Sequence, residues 1–468
     1  MNTNEISAGS LDDVDGDSVA DLTRPSQMDF SYNQKISTDI REAVVFSDRF
    51  ARFSFDRKGF LSHHSRIAFS VVPADGQATA YFPLGVGVNS LIDRVVLKAG
   101  NRTISETQEF GQLKAYDSMF ITGEANKERE QYLTQRMMNH SSVYETAPDD
   151  YKTDVDAPTY GIDNGRSYNG ANLGLLPCSR MDGTSAATKK QSPVYSILLG
   201  DLVDLFQAQD FPLYLCDEEI HLELHFQTDS AKRVCQASTG AGGSYVIDQS
   251  ECRMIYDTIY YDNDMMDKFR SAADSKGGLT YGFTEYRLTR RTASTAATWA
   301  NLIQNVGGAG RFVDKVIVRI SDDTADLQKS LVNSYKSQMA VVGSDTTLNI
   351  RYNDRYEFPI DRSNTALLFQ TLKDAEGAVP FVTRQEYSRD MVTTITARTF
   401  EGNDQRSGLA GNFHYLAVKP SREERVNSQG IDLIFKGEYP DSSLTLMCWL
   451  GLRKVARIEN GTFSSYFA

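Results

Sequence analysis

The sequence predicts an all-β chain of two tandem eight-stranded double-sheet sandwiches, with short helices in the inter-strand loops. Three observations lead there. Short segments alternate apolar and polar residues, one seven-residue strand pattern recurs about half a chain apart, and the later elements follow the same order in both halves. Composition agrees: 468 residues suffice for two sandwich-sized domains, and 23 Tyr with 24 Phe favour strands.

Residues 1–27 hold six acidic side chains and one basic one among Ser, Asn and Gly. Too few apolar groups are present to offset the entropy of ordering them, which predicts a flexible acidic arm. Alternation then begins, with Phe53 and Phe55 set against Ser54 and Asp56, and Ile67, Phe69 and Val71 against Arg66, Ala68 and Ser70. These are strands with one buried face. Ile92–Lys98 reads as another strand, and Phe110, Leu113, Tyr116 and Phe120 follow at helical spacing. Residues 140–193 are rich in Asp, Asn, Gly, Ser and Tyr without periodicity, which predicts a long surface loop.

Leu199, Leu202, Val203 and Phe206 share a helical face, and a strand, turn and strand follow over 211–226. Met265, Met266 and Phe269 mark a helix that Gly277 and Gly278 end. The domain boundary falls there, giving a first sandwich at 28–275 and a second at 276–468.

The repeat pairs Ile92-Asp-Arg-Val-Val-Leu-Lys98 with Val313-Asp-Lys-Val-Ile-Val-Arg319, alike in class at all seven positions. Leu327, Leu331 and Tyr335 place a helix after the second copy, as in the first half. IHLELHF (220–226) and IDLIFKG (431–437) then correspond, each followed by an aromatic strand. Convergent strand patterning is the bland alternative, and agreement in order argues against it. Two consecutive β-rich units of this kind fit the jelly roll.

Chemical motifs are sparse. His221, Glu223 and His225 alternate on a predicted strand and could present two imidazoles and a carboxylate to a metal. The same alternation fits the solvent or interface face of an antiparallel strand, and that reading is preferred because no further ligands are identifiable. No catalytic residue, cofactor site or metal site is therefore assigned. Gly240–Gly243 and Gly307–Gly310 lack the Lys-Ser/Thr of a phosphate-binding loop and read as loop tips. Neither HExxH nor GxSxG is present, so zinc proteolysis and acyl transfer lack sequence support. Cys178, Cys216, Cys235, Cys252 and Cys448 are widely spaced without a CxxC pair and read as reduced packing residues. A net charge of −13 disfavours broad or sequence-specific contact with nucleic acid. Without a signal peptide or a long apolar run, the chain is expected in the cytosol or nucleus.

The segments ILLGDLVDLFQAQDFPLYLCDEEIHLELHF (197–226) and ARIENGTFSSYF (456–467) resemble the double jelly-roll major capsid proteins of tectiviruses, large algal viruses, virophages and polinton-like viruses. With the strands between, the resemblance extends over about residues 30 to 468. It implies a structural, non-enzymatic protein of an icosahedral DNA-virus shell, resident in the virion. It also implies a homotrimeric, six-lobed capsomer that meets neighbouring capsomers, penton proteins and minor capsid proteins. Inter-strand loops such as 140–193 would face outward and the arm inward, where its acidity argues against direct contact with anionic lipid or DNA. Two other readings compete: a carbohydrate-binding or carbohydrate-active β-sandwich protein, since jelly rolls also serve as lectin scaffolds, and a viral spike or minor capsid component. Deleting residues 1–27 is expected to leave the folded oligomer intact but impair shell assembly; loss of soluble oligomer on gel filtration would contradict the arm reading.

Overall fold

The computed structural model describes residues 35–73, 80–81, 86–117, isolated positions between 120 and 134, 194–207, 210–228, 235–236, 245–293, 302–322, 347–361, 365–377, 416–420, 423–436 and 444–468. The expected arm at 1–27, the loop at 140–193, Gly240–Gly243, Cys178 and the helix through Leu327, Leu331 and Tyr335 lie outside the described residues.

The first half carries β1 (Lys35–Glu42), β2 (Val45–Ser47), β3 (Phe50–Ser54), β4 (Phe60–Leu61), β5 (Arg66–Pro73), β6 (Ala80–Tyr81), β7 (Ile92–Ala99), β8 (Arg102–Gln108), β9 (Val194–Leu198), β10 (Phe211–Pro212), β11 (Ile220–Phe226), β12 (Cys235–Gln236), β13 (Tyr245–Ile247) and β14 (Arg253–Tyr260). The second carries β15 (Leu279–Ala293), β16 (Ile303–Gly307), β17 (Val313–Asp322), β18 (Thr347–Tyr352), β19 (Arg355–Asp361), β20 (Leu416–Val418), β21 (Ile431–Lys436), β22 (Leu444–Glu459) and β23 (Thr462–Phe467). The α-helices whose bounds lie within the described residues are α1 (Phe110–Asp117), α2 (Leu199–Leu202), α3 (Asn263–Asp274) and α4 (Thr365–Glu376). The helical face read at 199–206 is thus one short α-turn followed by a 3-10 turn at Asp204–Phe206, with Leu199, Leu202, Val203 and Phe206 all buried.

The main strands of the first half form two antiparallel sheets, β1-β14-β5-β9 and β3-β11-β7-β8. Those of the second form β15-β22-β17-β20 and β16-β21-β18-β19. Counted within each half, both sandwiches read first-eighth-third-sixth and second-seventh-fourth-fifth, which is jelly-roll connectivity. The remaining short strands extend these sheets, except β6 and β12, which pair with each other.

This equivalence corrects the sequence repeat. The matched segments Ile92–Lys98 and Val313–Arg319 are the fourth strand of one sandwich and the third strand of the other. Each is flanked by neighbours on both sides within its sheet, and central burial imposes the same apolar run between charged ends on both. The pairing of 220–226 with 431–437, and of the aromatic strands that follow, does join equivalent elements, the seventh and eighth strands. Among the described residues, the helix equivalent to α1 is α4, since each follows the fifth strand of its sandwich.

Antiparallel pairing places the connections after the first, third, fifth and seventh strands at one end. The long connections 109–193, 323–346 and 362–415 all leave from that end. At the opposite end, Gly100-Asn101 and Asn353-Asp354 make tight turns, the latter with φ of 49° and 62° as a primed hairpin turn requires. β8 runs from Ile104 to Gln108 beside β22 from Lys454 to Trp449. Since β22 is antiparallel to β15, β8 and β15 run the same way, and both sandwiches send their long connections in one direction.

Each sandwich has its own apolar cluster, built from the inward positions of alternating strands. Ile220, Leu222, Leu224 and Phe226 of β11 lie in the first, and Ile431, Leu433 and Phe435 of β21 in the second. α3 adds Phe269 and Ala273, and Gly278 (φ +62°) ends the connection; a Cβ there would sit 2.3 Å from the Ile458 carbonyl oxygen. Cys216, Cys252 and Cys448 are buried free thiols, and burial pushes Cys252 up to about 12. Among the described residues, no helix is long and apolar enough to cross a membrane.

Candidate functional site

The two sandwiches are not separate beads. β15 and β22, at 15 and 16 residues, are longer than one sandwich needs. Leu446, Cys448, Leu450 and Leu452 enter the second core, whereas Leu279, Tyr281, Phe283, Ala456 and Ile458, with Phe463 of β23, enter the first. In return α1 sends Leu113, Ala115 and Tyr116 into the second cluster. The chain therefore has a seam at which each lobe completes the other.

The two segments that carry the sequence resemblance meet at this seam. The Phe211 ring lies 5.5 Å from Tyr281 and 5.0 Å from Phe463. The Asp217 amide donates to the Gly461 carbonyl at 2.8 Å. Gly461 (φ +75°) follows Asn460 in the β22–β23 turn, and a Cβ there would overlap the Asp217 carboxylate. The spacing FPLYLCD thus ties the first sandwich to the C-terminal hairpin.

Polar groups fix the seam's register. Lys454 Nζ donates to Glu285 Oε2 at 2.6 Å and to the Ile104 carbonyl of β8, with both side chains almost wholly buried. Ser465 Oγ donates to the same carbonyl at 3.0 Å, and the Phe467 ring lies 5.0 Å from the ammonium. Trp449 Nε1 donates to the Gln108 carbonyl at 3.2 Å. Farther along, Lys315 Nζ donates to both oxygens of Glu376 at 2.7 and 2.9 Å, and the Tyr116 hydroxyl also donates to Glu376. Burial disfavours the Lys315 charge, but Tyr286 and Glu376 outweigh it and hold its pKa above the ordinary lysine value. Burial first, then Glu376, pushes Tyr116 well up. Asp204 is also raised, chiefly by burial, although its Oδ2 accepts the Thr284 amide at 2.7 Å.

A cleft of about 720 Å³ opens between α1, β15, β17 and α4. Lys114, Lys315, Asp204, Asp314 and Glu376 line it, so its walls carry both signs. The chemistry of this arrangement is ion pairing that positions one lobe on the other.

The structure brings His221, Glu223 and His225 together on the outward side of β11, with Glu223 between the rings at 3.5 and 3.8 Å. Both carboxylate oxygens already have cationic partners, Arg52 at 2.9 Å and Lys98 at 2.8 Å, while Arg94 lies 3.1 Å from His225. Lys98 and Arg52 hold Glu223 below its usual pKa against the opposing effect of burial. Glu223 is only 3% exposed, because the long basic side chains fold over this face of β11. Three cations oppose the approach of a further one. Among the described residues, no group of three His, Cys, Asp or Glu side chains is placed to hold a metal ion.

Sequence reasoning missed Glu285, Lys315, Glu376, Trp449 and Lys454. The available signal was a charged residue at an inward position of an apolar alternating strand, as at Lys454 between Leu452 and Ala456.

No family model and no curated protein matches the sequence. Solved structures share its fold across nearly the whole chain. PBCV-1 VP54, fitted into a cryo-EM reconstruction of the virophage Sputnik, is 12% identical, with 93% of this chain and 97% of that chain covered and a TM-score of 0.54. The mavirus major capsid protein is 11% identical, with 94% of each chain covered and a TM-score of 0.51. The Sputnik virophage structure determined by cryo-EM is 10% identical, with 93% of this chain and 89% of that chain covered and a TM-score of 0.50. The chain thus has the double jelly-roll fold found in these proteins.

Two outcomes follow from the charges described above. Lys454→Met, which leaves the buried Glu285 carboxylate only the half-exposed Arg287 at 3.5 Å, is expected to cost up to about 3 kcal/mol in chemical denaturation, whereas Lys454→Met with Glu285→Leu recovers most of that loss. Equal destabilisation by both variants would refute the pairing account. The pKa values of His221 and His225 are lowered, chiefly by burial and next by Arg52 and Arg94 respectively. The unfolded chain therefore takes up protons first, and stability is lost as pH falls below the ordinary value of 6.5. His221→Gln with His225→Gln should flatten this loss in thermal melts between pH 7.5 and 5.5; an unchanged slope would place the acid sensitivity elsewhere.

Proposed function

We propose that this double jelly-roll chain is a major capsid protein, three copies of which form a six-lobed block that tiles an icosahedral DNA-virus shell. The observation that carries the reading is the pair of sandwiches of identical strand order, joined at a seam where each sends side chains into the other's core, and sending their long connections in one direction. Such a unit presents two similar lobes side by side, and three copies supply six. Mavirus major capsid protein and the PBCV-1 capsid have the same fold, which supports a shell-building role over catalysis.

On this reading the lobes are 28–275 and 276–468, and the chain resides in the virion. Neighbouring blocks, penton proteins and minor capsid proteins are its partners. The outward loop is 140–193 and the inward arm is 1–27. With a net charge of −13, the shell encloses its genome without a broad Lys/Arg lining. Gel filtration with light scattering is expected to give three times the chain mass of 52.2 kDa, and electron microscopy to show six-lobed blocks or hollow shells. A stable monomer with sugar affinity would overturn the assignment in favour of a carbohydrate-binding sandwich.

A further inference from the structure

The seam opens on both faces of β8. Ser105 and Thr107 look into the cleft beside α1, whereas the alternate residues Glu106 and Gln108 look into a second cleft of about 510 Å³. Glu285 and Arg287 of β15, Lys454 of β22 and Phe467 of β23 wall its other side, so each half of the chain supplies part of it.

Three cations converge on the Phe467 ring. The Arg311 guanidinium carbon lies 4.0 Å from the ring centroid, that of Arg287 4.8 Å and the Lys454 ammonium 5.0 Å. Attraction to the ring holds each cation but neutralises none. Glu285 serves two of them, with Oε2 on Lys454 at 2.6 Å and Oε1 3.5 Å from Arg287. The other carboxylate of the cleft, Glu106, is taken by Arg94 at 3.4 Å and by the Gln108 amide, which donates to it at 2.9 Å. Among the described residues, no carboxylate pairs with Arg311. Burial and then Arg287 hold its pKa below the ordinary arginine value, against the pull of Glu285. Arg94, Arg287, Arg311 and Lys454 thus face only Glu106 and Glu285, a local surplus of positive charge in a chain whose net charge is −13.

We propose that this second cleft is an oxyanion site in which Arg287 and Arg311 bind a phosphate group. The two ring distances bound the separation of the guanidinium carbons at 8.8 Å. A phosphate group fits between planar forks at such a spacing, with charge-assisted hydrogen bonds of about 2.8 Å on each side. Its charge of about −1.5 to −2 near neutral pH offsets the surplus and turns the repulsion between the two arginines into two attractions. A monocarboxylate supplies one charge and two oxygens, too few for both forks. Thr103 and Gln108 of β8 line the same cleft, so a phosphate held there lies against both halves and its binding stabilises their seam. The site needs one chain alone and is independent of the capsid reading.

Equilibrium dialysis of the whole chain against radiolabelled inorganic phosphate tests the site, with chloride holding the ionic strength constant so that screening is equal throughout. Arg287→Gln and Arg311→Gln are compared with wild type and with Arg66→Gln, an exposed arginine of β5 outside the cleft. Wild type and Arg66→Gln should bind one phosphate per chain, and each cleft variant should bind at least ~10-fold more weakly. Phosphate should also raise the melting temperature of wild type and Arg66→Gln, and raise it less in the cleft variants. Should circular dichroism show that a glutamine variant fails to fold, Arg311→Lys carries the test: it keeps the charge, loses the fork and should bind with intermediate affinity. A wild type that binds no phosphate, or cleft variants that bind it as tightly as wild type, would overturn the site. Binding of citrate in place of phosphate, measured in parallel, would overturn the ligand class.

Discussion

Two strands too long for the sandwich they belong to hold this molecule together. β15 and β22 pair along their whole length, with Leu279 opposite Ile458 at one end and Ala293 opposite Leu444 at the other. One part of the ladder lies in the second core and the rest in the first. Burying a large apolar side chain contributes about 1.5–3 kcal/mol, so Tyr281, Phe283, Ile458 and Phe463 bind the lobes with several such contributions. A hinge between the halves would expose them. The double sandwich is therefore one body whose lobes have a fixed relation.

The buried polar contacts act differently. A desolvated pair such as Lys454 and Glu285 adds little net stability, because attraction is offset by the loss of hydration. What it adds is register: the ammonium must meet both the Glu285 carboxylate and the Ile104 carbonyl, so β8 cannot slide along β22. Lys315, Glu376 and Tyr116 impose the same condition between β17, α4 and α1. Apolar contact sets the strength of the seam, and hydrogen-bond geometry sets its alignment.

Much of the architecture was legible because a strand buried on one face must alternate. The alternating residues of 220–226 announced β11, and the phenylalanines at 53 and 55 announced the segment around β3. The helix read through Met265, Met266 and Phe269 formed because its apolar spacing suits one covered face, whereas the one read through Phe110, Leu113, Tyr116 and Phe120 ends at Asp117 and is buried between both cores. Resemblance to double jelly-roll capsid proteins rested on two segments that proved to touch, Phe211 with Phe463 and Asp217 with Gly461. The mistaken pairing of Ile92–Lys98 with Val313–Arg319 has an equally physical origin: any central strand is apolar between charged ends, whatever its place in the sheet.

Local pattern by itself determined that the chain is β-rich, that it holds two sandwiches, and which residues of most strands face inward, because these follow from burial on a period of two. Tertiary structure decided which strands are equivalent, that each lobe sends side chains into the other's core, and that Glu223 is clasped by Arg52 and Lys98 under the histidines. Those facts depend on pairings between residues far apart in the chain, and a side chain's charge or apolarity records that it will be covered without recording by what.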